Sequence, residues 1–150
     1  MNYFDIIDKL KTHFTNDVLV NTVTQGNLYD IDLAKNTIFP LIHIICNSAT
    51  LESNVVRYNI SILAMDIVDI SKEESENKFD GNDNELYILN TQLQVLTRCY
   101  ELLLRGDLYT DAFQVDGNPT CEPFVDRFEN KFAGWTITMD ILIGNGMTIC

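Results

Sequence analysis

Two histidines, four cysteines and a scatter of carboxylates are the residues of this 150-residue sequence best equipped for chemistry. Nucleophilic catalysis needs a base beside a Ser or Cys, and the histidine bases on offer are His13 and His43. His13 falls on an amphipathic helix pattern and His43 inside the apolar run Ile38 to Cys46. A single His in such a run reads as a satisfied core residue. Cys46 follows His43 by three positions, so in a strand the two side chains face opposite ways and form no dyad. Asp80-Gly81-Asn82-Asp83-Asn84 imitates the first, third and fifth positions of a calcium loop. The sixth position is Glu85 instead of Gly and the twelfth is Thr91 instead of Glu, so the segment reads as a loop ending in a helix cap. Asp30 with Asp32, and Asp66 with Asp69, are carboxylate pairs that read as solvated charge, because acid–base work needs a shared cleft that spacing does not establish. Gly144-Asn145-Gly146 has no helix after it to bind phosphate, and the sequon Asn59-Ile60-Ser61 lies in a strand pattern of a chain without a signal peptide. The sequence therefore assigns no catalytic residue, no cofactor and no metal.

What must position any site is an ordinary globular chain. Hydrophobic residues make up 46% and charged residues 21% of it, enough for one good core. The formal charge of -12 opposes a grip on nucleic-acid phosphates or an anionic membrane, since both need clustered Lys and Arg. Cys46, Cys99, Cys121 and Cys150 form no CxxC pair and read as thiols. No stretch reaches the roughly 18 apolar residues of a bilayer span, and Met1 to Asp5 lacks a basic leader, so the expectation is a cytoplasmic protein unless it leaves inside a particle.

Residues 2 to 14 repeat apolar side chains at three- and four-residue steps, which predicts a helix. Val18 to Thr24 predicts a strand ending in a hairpin turn at Gln25-Gly26-Asn27. Asp30 to Lys35 fits a helical turn or a short strand. Ile38 to Cys46 reads as a strand covered on both faces, followed by a polar loop from Asn47 to Asn54. Val55 to Val68 is the longest strand, half solvated at one end. The acidic stretch of about 69–85 reads as a solvated loop, and its removal from Lys72 to Asp80 is expected to leave folding intact. Asp83 or Asn84 caps a long helix to Leu104 with Leu86, Leu89, Leu93, Leu96, Tyr100 and Leu103 inward, and Gly106 stands just past its end. Ile88, Val95, Cys99, Leu102 and Leu104 widen that stripe, as a flank contact with another subunit would. The remainder reads as a meander: Asp111 to Val115, a turn at Asp116-Gly117-Asn118, Thr120 to Phe128, and Phe132 to Ile143. The expected fold is one α+β domain over 1–150, a mostly antiparallel sheet with an N-terminal helix and one long helix packed on it.

This order of elements, with an aromatic-Pro pair at Phe39-Pro40 opening one strand, resembles the neck, tail-completion and tail-terminator proteins of tailed bacteriophages. The segment from Glu122 to Thr138, closed by Asn145 to Cys150, is similar to the C-terminal end of structural proteins of crAss-like phages. The resemblance implies a virion structural protein, assembled in the host cytoplasm. Its subunits would form a sixfold or twelvefold homo-oligomeric ring with portal, neck and tail proteins as partners. DNA would slide through the lumen without specific binding, and no membrane would be involved. Interface residues expected on this reading are Glu73, Glu74, Glu76, Phe79, Asp80, Met147 and Ile149. The alternative is a small-ligand or regulatory module with a pocket between long helix and sheet, lined by His43, Tyr58 and Trp135.

Overall fold

A computed structural model describes residues 3–26, 39–67, 85–105, 113–127 and 131–144. Along them run helix α1 (Tyr3–Thr15), strands β1 (Thr22–Gln25), β2 (Leu41–Leu51) and β3 (Val55–Ile67), helix α2 (Glu85–Arg105), and strands β4 (Phe113–Arg127) and β5 (Lys131–Gly144). The strands form a five-stranded sheet in the order β1-β2-β3-β5-β4. β1 is parallel to β2 and every other neighbouring pair is antiparallel, giving the expected α+β, mostly antiparallel architecture.

Side-chain alternation decides where the core sits, because successive strand residues point to opposite faces. Ile42 and Ile44 of β2, Tyr58, Ile60, Ile62 and Ala64 of β3, and Ile137, Met139, Ile141 and Ile143 of β5 share one face. Both helices dock there: α1 through Ile6, Ile7, Leu10 and Phe14, α2 through Val95, Leu96, Cys99 and Leu103. Trp135 Nε1 donates to the Leu89 carbonyl at 2.7 Å, tying β5 to α2. The opposite face is apolar at one end only, where Phe39, Leu41, Met65 and Phe132 cluster and the Phe39 and Phe132 rings stack at 6.2 Å. The middle of that face is polar. Asn47 Nδ2 donates to Asn59 Oδ1 and Ser61 Oγ, both at 2.8 Å, and Asn59 Nδ2 donates to Asp140 Oδ1 at 2.9 Å.

Five expectations are corrected. β1 is shorter than the β-branched run and forms no hairpin with the strand it pairs with: Gly26 (φ 111°) stands just past its end, and β1 lies parallel to β2, as a crossover requires. Residues 47–51 are not a loop; they extend β2, because cross-strand pairing with β3 from Ser48 to Leu51 sustains polar, exposed residues in a ladder. Asp116-Gly117-Asn118 is not a turn between strands. It is an irregularity inside the single strand β4, whose register against β5 shifts between Asp116 and Thr120 with Gly117 at φ 76°. The inward face of α2 is rotated by roughly a quarter turn from the expected stripe: Ile88, Gln92, Val95, Leu96, Cys99 and Leu103 are buried, while Leu86 is exposed. Asp66 is half-buried, not solvated. The expectations for Asp30 to Lys35, for the acidic stretch, for the caps of α2 at Asp83, Asn84 and Gly106 and for the C-terminal tail lie outside the described residues.

Candidate functional site

Four pieces of chain enclose an open cleft of about 450 Å³: the connection Val18–Asn21, Pro40 just ahead of β2, the end of β3 at Asp66, and the first half of α2 at Tyr87, Ile88, Thr91 and Gln92. The connection is fastened from below. The Asp17 side chain is only 5% exposed, and its two carboxylate oxygens accept from Arg98 Nη2 at 2.9 and 2.7 Å. Asp17 Oδ1 also accepts from Leu19 N at 3.0 Å, a local turn of the kind Asp favours. The backbone amides of Asn21 and Thr22 both donate to the Pro40 carbonyl, at 2.9 and 3.1 Å, joining the connection to the start of β2. One wall of the cleft is therefore held by charge-assisted and backbone bonds, which are stronger than neutral side-chain pairs.

Two acceptors in this cleft are under-used. Asp66 Oδ1 accepts from its neighbour Ile67 N at 2.8 Å. Burial pushes the Asp66 carboxyl above the usual range, with the Ile67 N–H acting the other way, and no cation among the described residues contributes to its surroundings. Gln92 is 1% exposed, and its Oε1 has no hydrogen-bond partner among the described residues. An amide oxygen withdrawn from water and left unpaired costs free energy, so its retention on a helix face otherwise made of Ile88, Val95 and Cys99 needs a reason.

The residues singled out from sequence fall elsewhere. Glu73, Glu74, Glu76, Phe79, Asp80, Met147 and Ile149 lie outside the described residues. His43 is a core histidine, as expected: 1% exposed, Nε2 2.9 Å from the Gly26 carbonyl and Nδ1 2.7 Å from Thr24 Oγ1. The Gly26 carbonyl can only accept, so Nε2–H is the donor to it. Cys46 packs on the helix-covered face while His43 sits on the other. Tyr58 stacks toward Tyr3 with ring centroids 5.8 Å apart, and Trp135 is engaged with Leu89; neither lines the cleft. A pocket between long helix and sheet thus exists, lined by other residues than the three expected. Cys99 is fully buried and its thiol is pushed up to about 12, which leaves no nucleophilic thiolate at neutral pH. Among the described residues no three His, Cys, Asp or Glu side chains gather as a metal site. No described helix is long and apolar enough to cross a membrane.

A second feature is an open sheet edge. β1 covers β2 only from Leu41 to Ile44, so beyond Ile44 the outer side of β2 has no partner strand among the described residues. Residues 47–51 are exposed, ending at Leu51 with 80% of its surface in solvent. The far edge, β4, carries Pro119, Pro123 and the register shift, devices that discourage further pairing. β2 beyond Ile44 contains no proline, and its own register against β3 shifts between Cys46 and Ser48. No protein-family model matches this chain, and no curated protein matches it.

Proposed function

We propose that the chain is a virion structural protein, a ring-forming subunit of the neck or tail terminator of a tailed phage that joins portal and tail around the DNA channel. The observation that carries this reading is the open edge of β2 from Ile45 to Leu51. Among the described residues the outer N–H and C=O groups of this stretch face no partner strand, and such groups are a template for another chain. Both edge strands carry a register shift, β2 between Cys46 and Ser48 and β4 between Asp116 and Thr120, but β4 also bears two prolines, so the two edges differ and a contact using the β2 edge against a different surface of the next copy is head-to-tail. Head-to-tail contacts close into rings when the rotation allows. Exposed Leu51 at 80% and Phe4 at 74% supply apolar area for such contacts. The Glu122 to Thr138 segment that resembles crAss-like phage proteins spans the second half of β4 and the first half of β5. The charge of -12 suits a channel wall from which phosphates slide away. On this reading the protein acts by assembly, without catalysis.

The test is light scattering on the purified chain across a concentration series, with Leu51→Lys beside the wild type, and imaging of purified virions. Closed oligomers that the substitution dissolves, and density for the chain between portal and tail, are expected. A monomer at every concentration together with absence from particles refutes the reading.

A further inference from the structure

The cleft beside α2 has a chemistry of its own, independent of the ring reading. Its volume of about 450 Å³ falls within the range of about 300 to 1,000 Å³ in which small-molecule sites lie. Val18, Leu19, Val20, Ile88 and Pro40 make much of its lining apolar, and no Lys, Arg or His lines it among the described residues. Against that lining stand a carboxylate, Asp66, and a buried amide oxygen, Gln92 Oε1, the first without a cationic partner and the second without a donor among the described residues. Both missing partners are donors, and one must carry positive charge to offset a half-buried carboxylate.

We propose that this cleft binds an organic cation. A protonated amine or guanidinium places its head group on the Asp66 carboxylate, while its aliphatic stem lies along Val18, Leu19, Val20 and Ile88. The net charge of -12 draws such a ligand in and repels an anion of the same shape. A neutral alcohol fills the apolar part and leaves the carboxylate uncompensated. The chemistry is the same whether the cation is a free amine or the Lys or Arg side chain of a neighbouring copy.

The experiment is a titration of the full chain, followed by backbone amide resonances, with agmatine and n-pentylamine as probes and 1-pentanol and pentanoate as controls. Saturable shifts confined to residues 18–21 and 87–92 are expected with the two cations, at least tenfold weaker binding in Asp66→Asn, and no saturation with either control. Asp66→Asn keeps an acceptor for Ile67 N and removes a half-buried charge, so it is expected to fold. Val18→Lys, at a position 96% exposed, is a second variant whose tethered ammonium competes with the probes and weakens them. If the same resonances move when the chain alone is concentrated, the cation is a neighbour's side chain; if they move only with the probes, it is a free amine. Absence of saturable shifts, equal binding in Asp66→Asn, or equal binding of 1-pentanol overturns the proposal.

Discussion

Replacing Gln92 by Leu is expected to stabilise the free protein, against the usual rule that core substitutions destabilise. Gln92 is 1% exposed and its Oε1 lacks a donor among the described residues, so the folded state carries an orphaned acceptor. Such a group costs about 1 to 3 kcal/mol, and an apolar side chain of similar shape recovers it. Leu at this position continues the buried apolar face of Ile88, Val95 and Cys99. Allowing for repacking, the expected net gain is about 1 to 2 kcal/mol, since shape changes in a core commonly cost up to 1.5 kcal/mol. For a domain of this size 1 kcal/mol moves Tm by about 2 to 4 °C, so a rise of roughly 2 to 8 °C is expected. Calorimetry and urea unfolding measure it, the latter with an unchanged slope and a higher midpoint. Gln92→Glu is the matched control and is expected to destabilise, because it buries a charge beside no cation. A Leu variant less stable than wild type by 1 kcal/mol or more refutes the account of Gln92 as an unpaired acceptor.

The other perturbations test the frame of the site. Gly134→Ala is expected to cost about 3 kcal/mol in urea unfolding, because a Cβ there collides with the Ala64 carbonyl oxygen and comes within 2.8 Å of the Met65 Cα. Asp17→Ala is expected to cost about 1 to 2 kcal/mol and to raise amide exchange at Val18 to Asn21, since Leu19 N and Arg98 both lose their acceptor. His13 and Asp66 titrate with opposite effects on stability. Burial lowers the His13 pKa below 6.5, so its contribution is present above 6.5 and is lost as pH falls through the folded value. Burial raises Asp66 above 3.8, so its contribution is present below 3.8 and is lost as pH rises through the folded value. Unfolding titrations should therefore show Asp66→Asn more stable than wild type at neutral pH, and His13→Leu without the loss on the acid side of 6.5.

Where burial follows a single clear period, the sequence was enough to place the element. The steps Ile6, Ile7, Leu10 and Phe14 gave α1, and the alternations of β3 and β5 gave both strands and their inward faces. Where two phases compete, it was not. α2 is apolar over so much of its circumference that Leu86, Leu89 and Leu93 outvote Ile88 and Val95, and the decision belongs to the sheet beneath. Set on the observed face, Gln92 is a lone polar side chain among Ile88, Val95 and Cys99, the signal that could have found the cleft. Asp66 was hidden differently, because half-burial at a strand end depends on the connection at Val18 to Asn21, held by Asp17 and Arg98 from 81 residues apart. The extension of β2 through Asn47 to Leu51 is polar and turn-rich in composition; only its pairing with β3 makes it a strand. The parallel placement of β1 is likewise a property of the crossover, which no local pattern records.

The central claim is that the open β2 edge joins copies of this chain into a closed ring. Light scattering on the purified protein at increasing concentration tests it most directly. The account predicts a discrete mass that is a multiple of 17.1 kDa, reduced to the single-chain value by Leu51→Lys without a change in the urea midpoint of the dissociated chain. A mass of one chain for wild type at every concentration, or an oligomer indifferent to the β2 edge, contradicts it.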